Sequence, residues 1–146
     1  MSIAKGHVQR AGFGDTRPYL YQGLQLASSI RLVELSPGEP EDMLCLDMYE
    51  VSLDDEPIYQ ALSYEWGEKM GSISVRCGDS HHLLVTPNLE TALLHLRSRE
   101  KTMILWIDAL CINQNDMQER SKQVSMMKRI FLGASSVFLW IGRDSP

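Results

Sequence analysis

Apolar and polar positions change period along the chain, and each change marks an element. Ser29-Ile30-Arg31-Leu32-Val33-Glu34-Leu35 alternates, which predicts a strand, and Pro37-Gly38 ends it. Met43 to Leu53 alternates again, closed by the turn Asp54-Asp55-Glu56-Pro57. Two strands joined by a short loop predict an antiparallel hairpin, placed at a sheet edge. Ile58 to Tyr64 reads as a buried strand. Ile73–Cys77 and Leu83–Thr86, around Gly78-Asp79-Ser80, predict a second hairpin. Thr86-Pro87 opens a helix, with Leu89, Ala92, Leu93 and Leu96 in one stripe.

The next stretch organises the rest. Met103 to Ile107 is almost continuously apolar, as in a strand covered on both faces. It ends in Asp108, Cys111, Asn113, Gln114 and Asn115, and a second helix follows, capped by Asn115 or Asp116 and running to about Leu132. Val137 to Ile141 is a further buried strand closed by Gly142. The order strand, helix, strand, helix, strand predicts an α/β fold. Its core is a mostly parallel central sheet with flanking helices, joined by right-handed crossovers and bounded by the N-terminal antiparallel hairpin edge. Residues 1–18 carry no periodicity and are expected to be a disordered lead-in, leaving 19–146 as one domain. The ending at Asp144-Ser145-Pro146, just after a strand, suggests the N-terminal part of a longer protein.

Polar side chains at the carboxyl end of a buried strand, beside a helix start, mark the place where open α/β sheets hold ligands. The second helix adds an oddity. Met117, Val124, Met127, Ile130 and Phe131 fall on one arc at ~100° per residue, and Arg120 and Gln123 fall inside it. An inward guanidinium needs a carboxylate, and Asp108 and Glu65 are the candidates; otherwise its head reaches water past the helix start.

Composition adds limits. At 146 residues one domain can bury a sizeable core. The net charge of −5 argues against nucleic-acid binding. No membrane span or secretory leader is visible, so a cytoplasmic location is expected. Cys45, Cys77 and Cys111 are an odd number in apolar surroundings, expected as reduced thiols.

Several blocks resemble one known family. Tyr59-Gln60-Ala61-Leu62-Ser63-Tyr64-Glu65-Trp66-Gly67 is similar to the first block of the fungal heterokaryon incompatibility (HET) domain. Leu105 to Gln114 resembles its second block, and Glu119-Arg120-Ser121 with Gln123, Val124 and Met127 its third. Val137–Gly142 resembles its closing strand, and Ile30-Arg31-Leu32 with Pro37-Gly38 its lead-in. Glu65 stands where the family varies, and Phe131 where Tyr is usual. The resemblance implies an effector that triggers programmed cell death when genetically different hyphae fuse, and that forms a homo-oligomer on activation. It also implies a distant likeness to TIR domains, a flavodoxin-like α/β fold in which NAD is cleaved at the nicotinamide–ribose bond.

That chemistry needs a carboxylate to stabilise charge developing on the ribose. Glu119 is the first choice and Asp108 the second; their structural alternatives are a helix-dipole acid and a strand-end cap. Arg120 is suited to a nucleotide phosphate or to an ion pair. Trp66 is suited to stacking on a base or to closing the core. Ser63, Tyr64, Asn113 and Gln114 line the same crevice or satisfy its backbone. Cys111 lacks a neighbouring His to activate it as a nucleophile, so a small buried thiol is the alternative. Cys77, His81 and His82 make an incomplete metal set, and a solvated turn is favoured. NAD is thus the expected substrate, with no other cofactor. The rival is a non-enzymatic module acting by self-association or partner recruitment.

Overall fold

The computed structural model describes residues 16–64 and 71–141. One eight-stranded sheet carries the fold. Its strands are β1 (Arg17–Pro18), β2 (Ser29–Leu35), β3 (Cys45–Ser52), β4 (Gln60–Tyr64), β5 (Ile73–Cys77), β6 (His81–Val85), β7 (Met103–Ile107) and β8 (Ser136–Trp140). They lie in the order β1-β6-β5-β3-β2-β7-β4-β8. The helices are α1 (Pro87–Leu96), α2 (Asp108–Cys111) and α3 (Met117–Gly133). Four of the seven strand pairings are parallel, as an α/β chain with crossover helices requires.

The β2–β3 hairpin forms in the expected antiparallel register, Ser29 opposite Ser52 through Leu35 opposite Leu46. Its place differs from the expectation. It lies inside the sheet, with β7 on one flank and β5 on the other. Four of the seven β2 residues are apolar, and every β2 residue except Glu34 is buried, which an edge strand has no reason to be. The edges are β1 and β8. Arg17–Pro18, within the expected lead-in, pair in parallel with His81–His82. The Ile73–Val85 hairpin forms around Gly78, whose φ of 69° suits a residue without a Cβ.

Cross-strand register assigns the two faces. Trp106, Ala61 and Val137 stand side by side on one. There α3 packs: the Phe131 ring meets Trp106 edge-on at 5.5 Å, and the Tyr59 hydroxyl donates to the Ile130 carbonyl at 2.6 Å. Leu105, Leu62 and Phe138 take the opposite face. On that side Trp140 donates its indole N–H to Asn88 of α1 at 3.1 Å. The core runs through all these layers, with Leu105, Trp106 and Ile107 fully buried. No helix among the described residues is long and apolar enough to cross a membrane.

Candidate functional site

A network of polar groups gathers at the carboxyl end of β7. Ile107 passes directly into the four-residue α2, too short to show a period in sequence. Ile112 to Asp116 then turns the chain into α3. Asp116 is the N-cap, accepting from the Glu119 N–H at 3.1 Å. That fixes Glu119 in the first turn, pointing back at the strand end.

Glu119 closes on a residue from the far side of the sequence. Arg31 of β2 is 3 % exposed, which for a guanidinium demands a partner. Its Nη1 reaches Glu119 Oε2 at 2.5 Å and its Nη2 reaches Oε1 at 2.9 Å, a bidentate pair. Nη1 also donates to the Cys111 carbonyl at 2.9 Å, and Nη2 to the Gln22 carbonyl at 2.7 Å. The Tyr21 ring covers the guanidinium at 4.8 Å. Burial pulls the Arg31 pKa down, but the hydrogen bonds and charge of Glu119 outweigh it and raise it overall. Glu119 Oε2 accepts a further bond from the Asn113 N–H at 2.8 Å. One ion pair thus ties together β2, the segment before it, α2, the following turn and α3. The Tyr21 hydroxyl adds a bond to the Leu110 carbonyl at 2.6 Å.

The expected inward cation was therefore misplaced. Arg120 is exposed, as are Met117 at 71 % and Val124 at 54 %. The inward seam of α3 is Glu119, Gln123 and Ile130, about a quarter turn from the predicted arc. Hydrophobicity alone oriented the helix wrongly because its seam is closed by polar pairs. Besides Glu119–Arg31, the Gln123 amide N–H donates to the Ser29 carbonyl at 3.0 Å. In the seam the carboxylate is Glu119, on the helix itself, and the cation is Arg31 of β2. Arg31 was visible in sequence as one charged position in an alternating strand and as part of the lead-in resemblance, with nothing to mark it as a partner of Glu119.

The other site residues divide by location. Gln114 donates to the Asp108 and Ile112 carbonyls at 2.9 and 3.2 Å, and the Asn113 side chain accepts from the Asn115 N–H at 3.2 Å. Both hold the turn's backbone. Ser63 and Tyr64 end β4, the parallel neighbour of β7, so they share the strand-end rim with Asp108, which opens α2. Burial pushes the Tyr64 hydroxyl up to about 12; a Thr86 hydrogen bond opposes this and the Asp108 charge adds to it. Cys111 is fully buried, and burial pushes its thiol up to about 12 despite the Ile107 N–H 3.4 Å from its sulfur. A thiol raised in this way is a poor nucleophile, and the Cys111 carbonyl accepts from Arg31. Cys77 is likewise buried and raised to about 12. The described residues contain no metal-binding group of His, Cys, Asp and Glu. Glu65, Trp66 and Gly67 lie outside the described residues.

A cleft of about 290 Å³ runs beside this lock, between the 23–29 segment and the first turns of α3. Glu119, Lys122 and Gln123 line it from the helix, and Leu24, Ala27 and Ser29 from the segment.

The model of the family described as heterokaryon incompatibility protein (HET) matches residues 59–146, the span from β4 through α3 and β8. The chain belongs to the HET family. It is also similar to "Heterokaryon incompatibility protein 6, OR allele" of Neurospora crassa, 33 % identical over 130 residues. That match covers 80 % of this chain and 19 % of the relative, so the chain spans about a fifth of that protein. No solved structure matches, and the expected likeness to TIR domains gains no support from these comparisons. Of the HET-like blocks, the second and third meet the lead-in at Arg31, which bonds the Cys111 carbonyl and Glu119 while Glu119 accepts from Asn113.

Proposed function

We propose that this HET domain is an effector of fungal heterokaryon incompatibility that triggers cell death as a non-enzymatic module, by self-association or partner recruitment. The name of the Neurospora crassa relative supports the incompatibility role. One observation carries the mechanism: the Glu119 carboxylate, only 9 % exposed, gives both oxygens to Arg31 and a further acceptance to the Asn113 N–H. A carboxylate so occupied serves the fold. It is not poised to steady a cationic sugar, which requires an acid open to the ligand.

A second reading has one observation in its favour. The cleft along Glu119 gives a ligand a path to the residue that NAD cleavage would use. In that reading Glu119 leaves Arg31 to stabilise the ribose cation while nicotinamide departs with the bonding electron pair, and water then adds to the ribose carbon and loses a proton to solvent. Incubation of the purified chain with NAD, free and in a forced oligomer, separates the two. The proposal expects no nicotinamide above a buffer control. Release that disappears in Glu119→Gln, with the far-UV spectrum unchanged, would replace it with the enzymatic reading.

A further inference from the structure

The edge strand β8 is anchored on one face and bare on the other. On the α1 side, Trp140 is held by Asn88 and packs against His95 with ring centroids 5.2 Å apart. On the α3 side, Val137 is 48 % and Leu139 70 % exposed, and Ile141 just beyond is 63 % exposed. By register Val137 and Leu139 stand beside Ala61 and Ser63, beyond the cover that α3 gives the sheet. The flank of α3 is also unfilled: Met117 and Val124, with Arg120 and Ser121, line an open cleft of about 420 Å³. Among the described residues no strand pairs with the outer edge of β8.

Proteins protect such edges with charges, prolines or bulges. Ser135 to Ile141 contains no charged residue and no proline. We infer that β8 is a self-association surface, pairing edge to edge with β8 of a second copy of this chain about a two-fold axis. The occupant follows from the chemistry. A two-fold places identical strands antiparallel, so each edge supplies the N–H and C=O groups the other needs. An uncharged strand meets its own copy without like-charge repulsion, so self-pairing requires no complementary partner. Val137, Leu139 and Ile141 together leave roughly 250 Å² of apolar surface, in the range of a few hundred Å² that marks a functional patch on a monomer. Two such patches and two strand edges fall below the ~1,600 Å² of a standard stable interface. The dimer is therefore weak and concentration-dependent, a property suited to a module activated by being brought together. This rests on the self-association branch of the proposed function, but it is tested without a death assay, so the two fail separately.

Sedimentation velocity of the chain over a hundredfold concentration range is the test, with Leu139→Lys and Leu84→Lys as variants. Leu84 is 56 % exposed on β6, at the other end of the sheet, and controls for surface charge. The expected result is a monomer–dimer shift in the wild type and in Leu84→Lys, abolished in Leu139→Lys, with all three far-UV spectra alike. A wild type that stays monomeric throughout, or a Leu139→Lys protein that dimerises as readily as the wild type, overturns the inference.

Discussion

Glu119→Gln keeps the size and shape of the side chain and removes its charge. Arg31 then stays buried and charged with neutral acceptors only, the Cys111 and Gln22 carbonyls and one amide oxygen, while the amide NH₂ confronts its remaining N–H groups. Breaking one side of a buried ion pair costs about 3–5 kcal/mol. A domain of this size has about 5–15 kcal/mol in all, so the loss is a large share. Arg31→Met strands the carboxylate instead and is expected to cost a similar amount. The double variant Arg31→Met/Glu119→Leu removes both charges together. What remains is unpaired backbone at Cys111 and Asn113, worth about 1–3 kcal/mol per group, since Gln22 is exposed and its carbonyl reaches water. Taking the middle of each range, the double variant is therefore expected to fall about 4 kcal/mol short of the sum of the singles. Urea unfolding of the four proteins, followed by circular dichroism, measures this coupling. Additive losses, or a Glu119→Gln loss under ~1 kcal/mol, would refute the idea that the pair holds this end of the fold together.

Three further outcomes follow from particular residues. Cys111, with its folded pKa raised to about 12 from an ordinary 9.0, stays neutral in the fold while the unfolded thiol ionises; stability is intact below pH 9 and falls above it by about 1.4 kcal/mol per unit, and urea midpoints at pH 8 and pH 10.5 should show a smaller drop in Cys111→Ala. Gly71→Ala places a Cβ 2.6 Å from the Leu84 carbonyl oxygen, backbone that cannot swing aside, so a loss of about 1–3 kcal/mol is expected in thermal unfolding. Arg120→Ala is expected to change stability by less than ~0.5 kcal/mol, because the side chain is exposed; a loss of several kcal/mol would restore the inward position that the hydrophobic arc implied.

Strand periods located β2 to β8 within a residue or two, but they misjudged burial at β8: its continuous apolar run was expected to be buried, whereas Val137 and Leu139 are exposed because the strand lies at the sheet edge. Sheet order was harder to read. The Ser29–Ser52 hairpin looks the same at an edge as in the middle, and only its long-range pairing with Met103–Leu105 puts it inside. The strand-end position of the polar cluster was legible, since Asp108 to Asn115 break an apolar run. The lock was not. Arg31 and Glu119 lie 88 residues apart, and no local pattern announces a long-range ion pair. The orientation of α3 failed for the same reason: its seam uses Glu119 and Gln123, while Met117 and Val124 stay outside for a surface that sequence reads as core.

The central claim is that Glu119 kills through the fold and not through chemistry. Cell death in hyphae expressing Arg31→Met/Glu119→Leu tests it most directly, once that variant is shown to be folded at the growth temperature. The account predicts death at or near the wild-type level without any carboxylate at position 119. A folded double variant that leaves hyphae viable would contradict it.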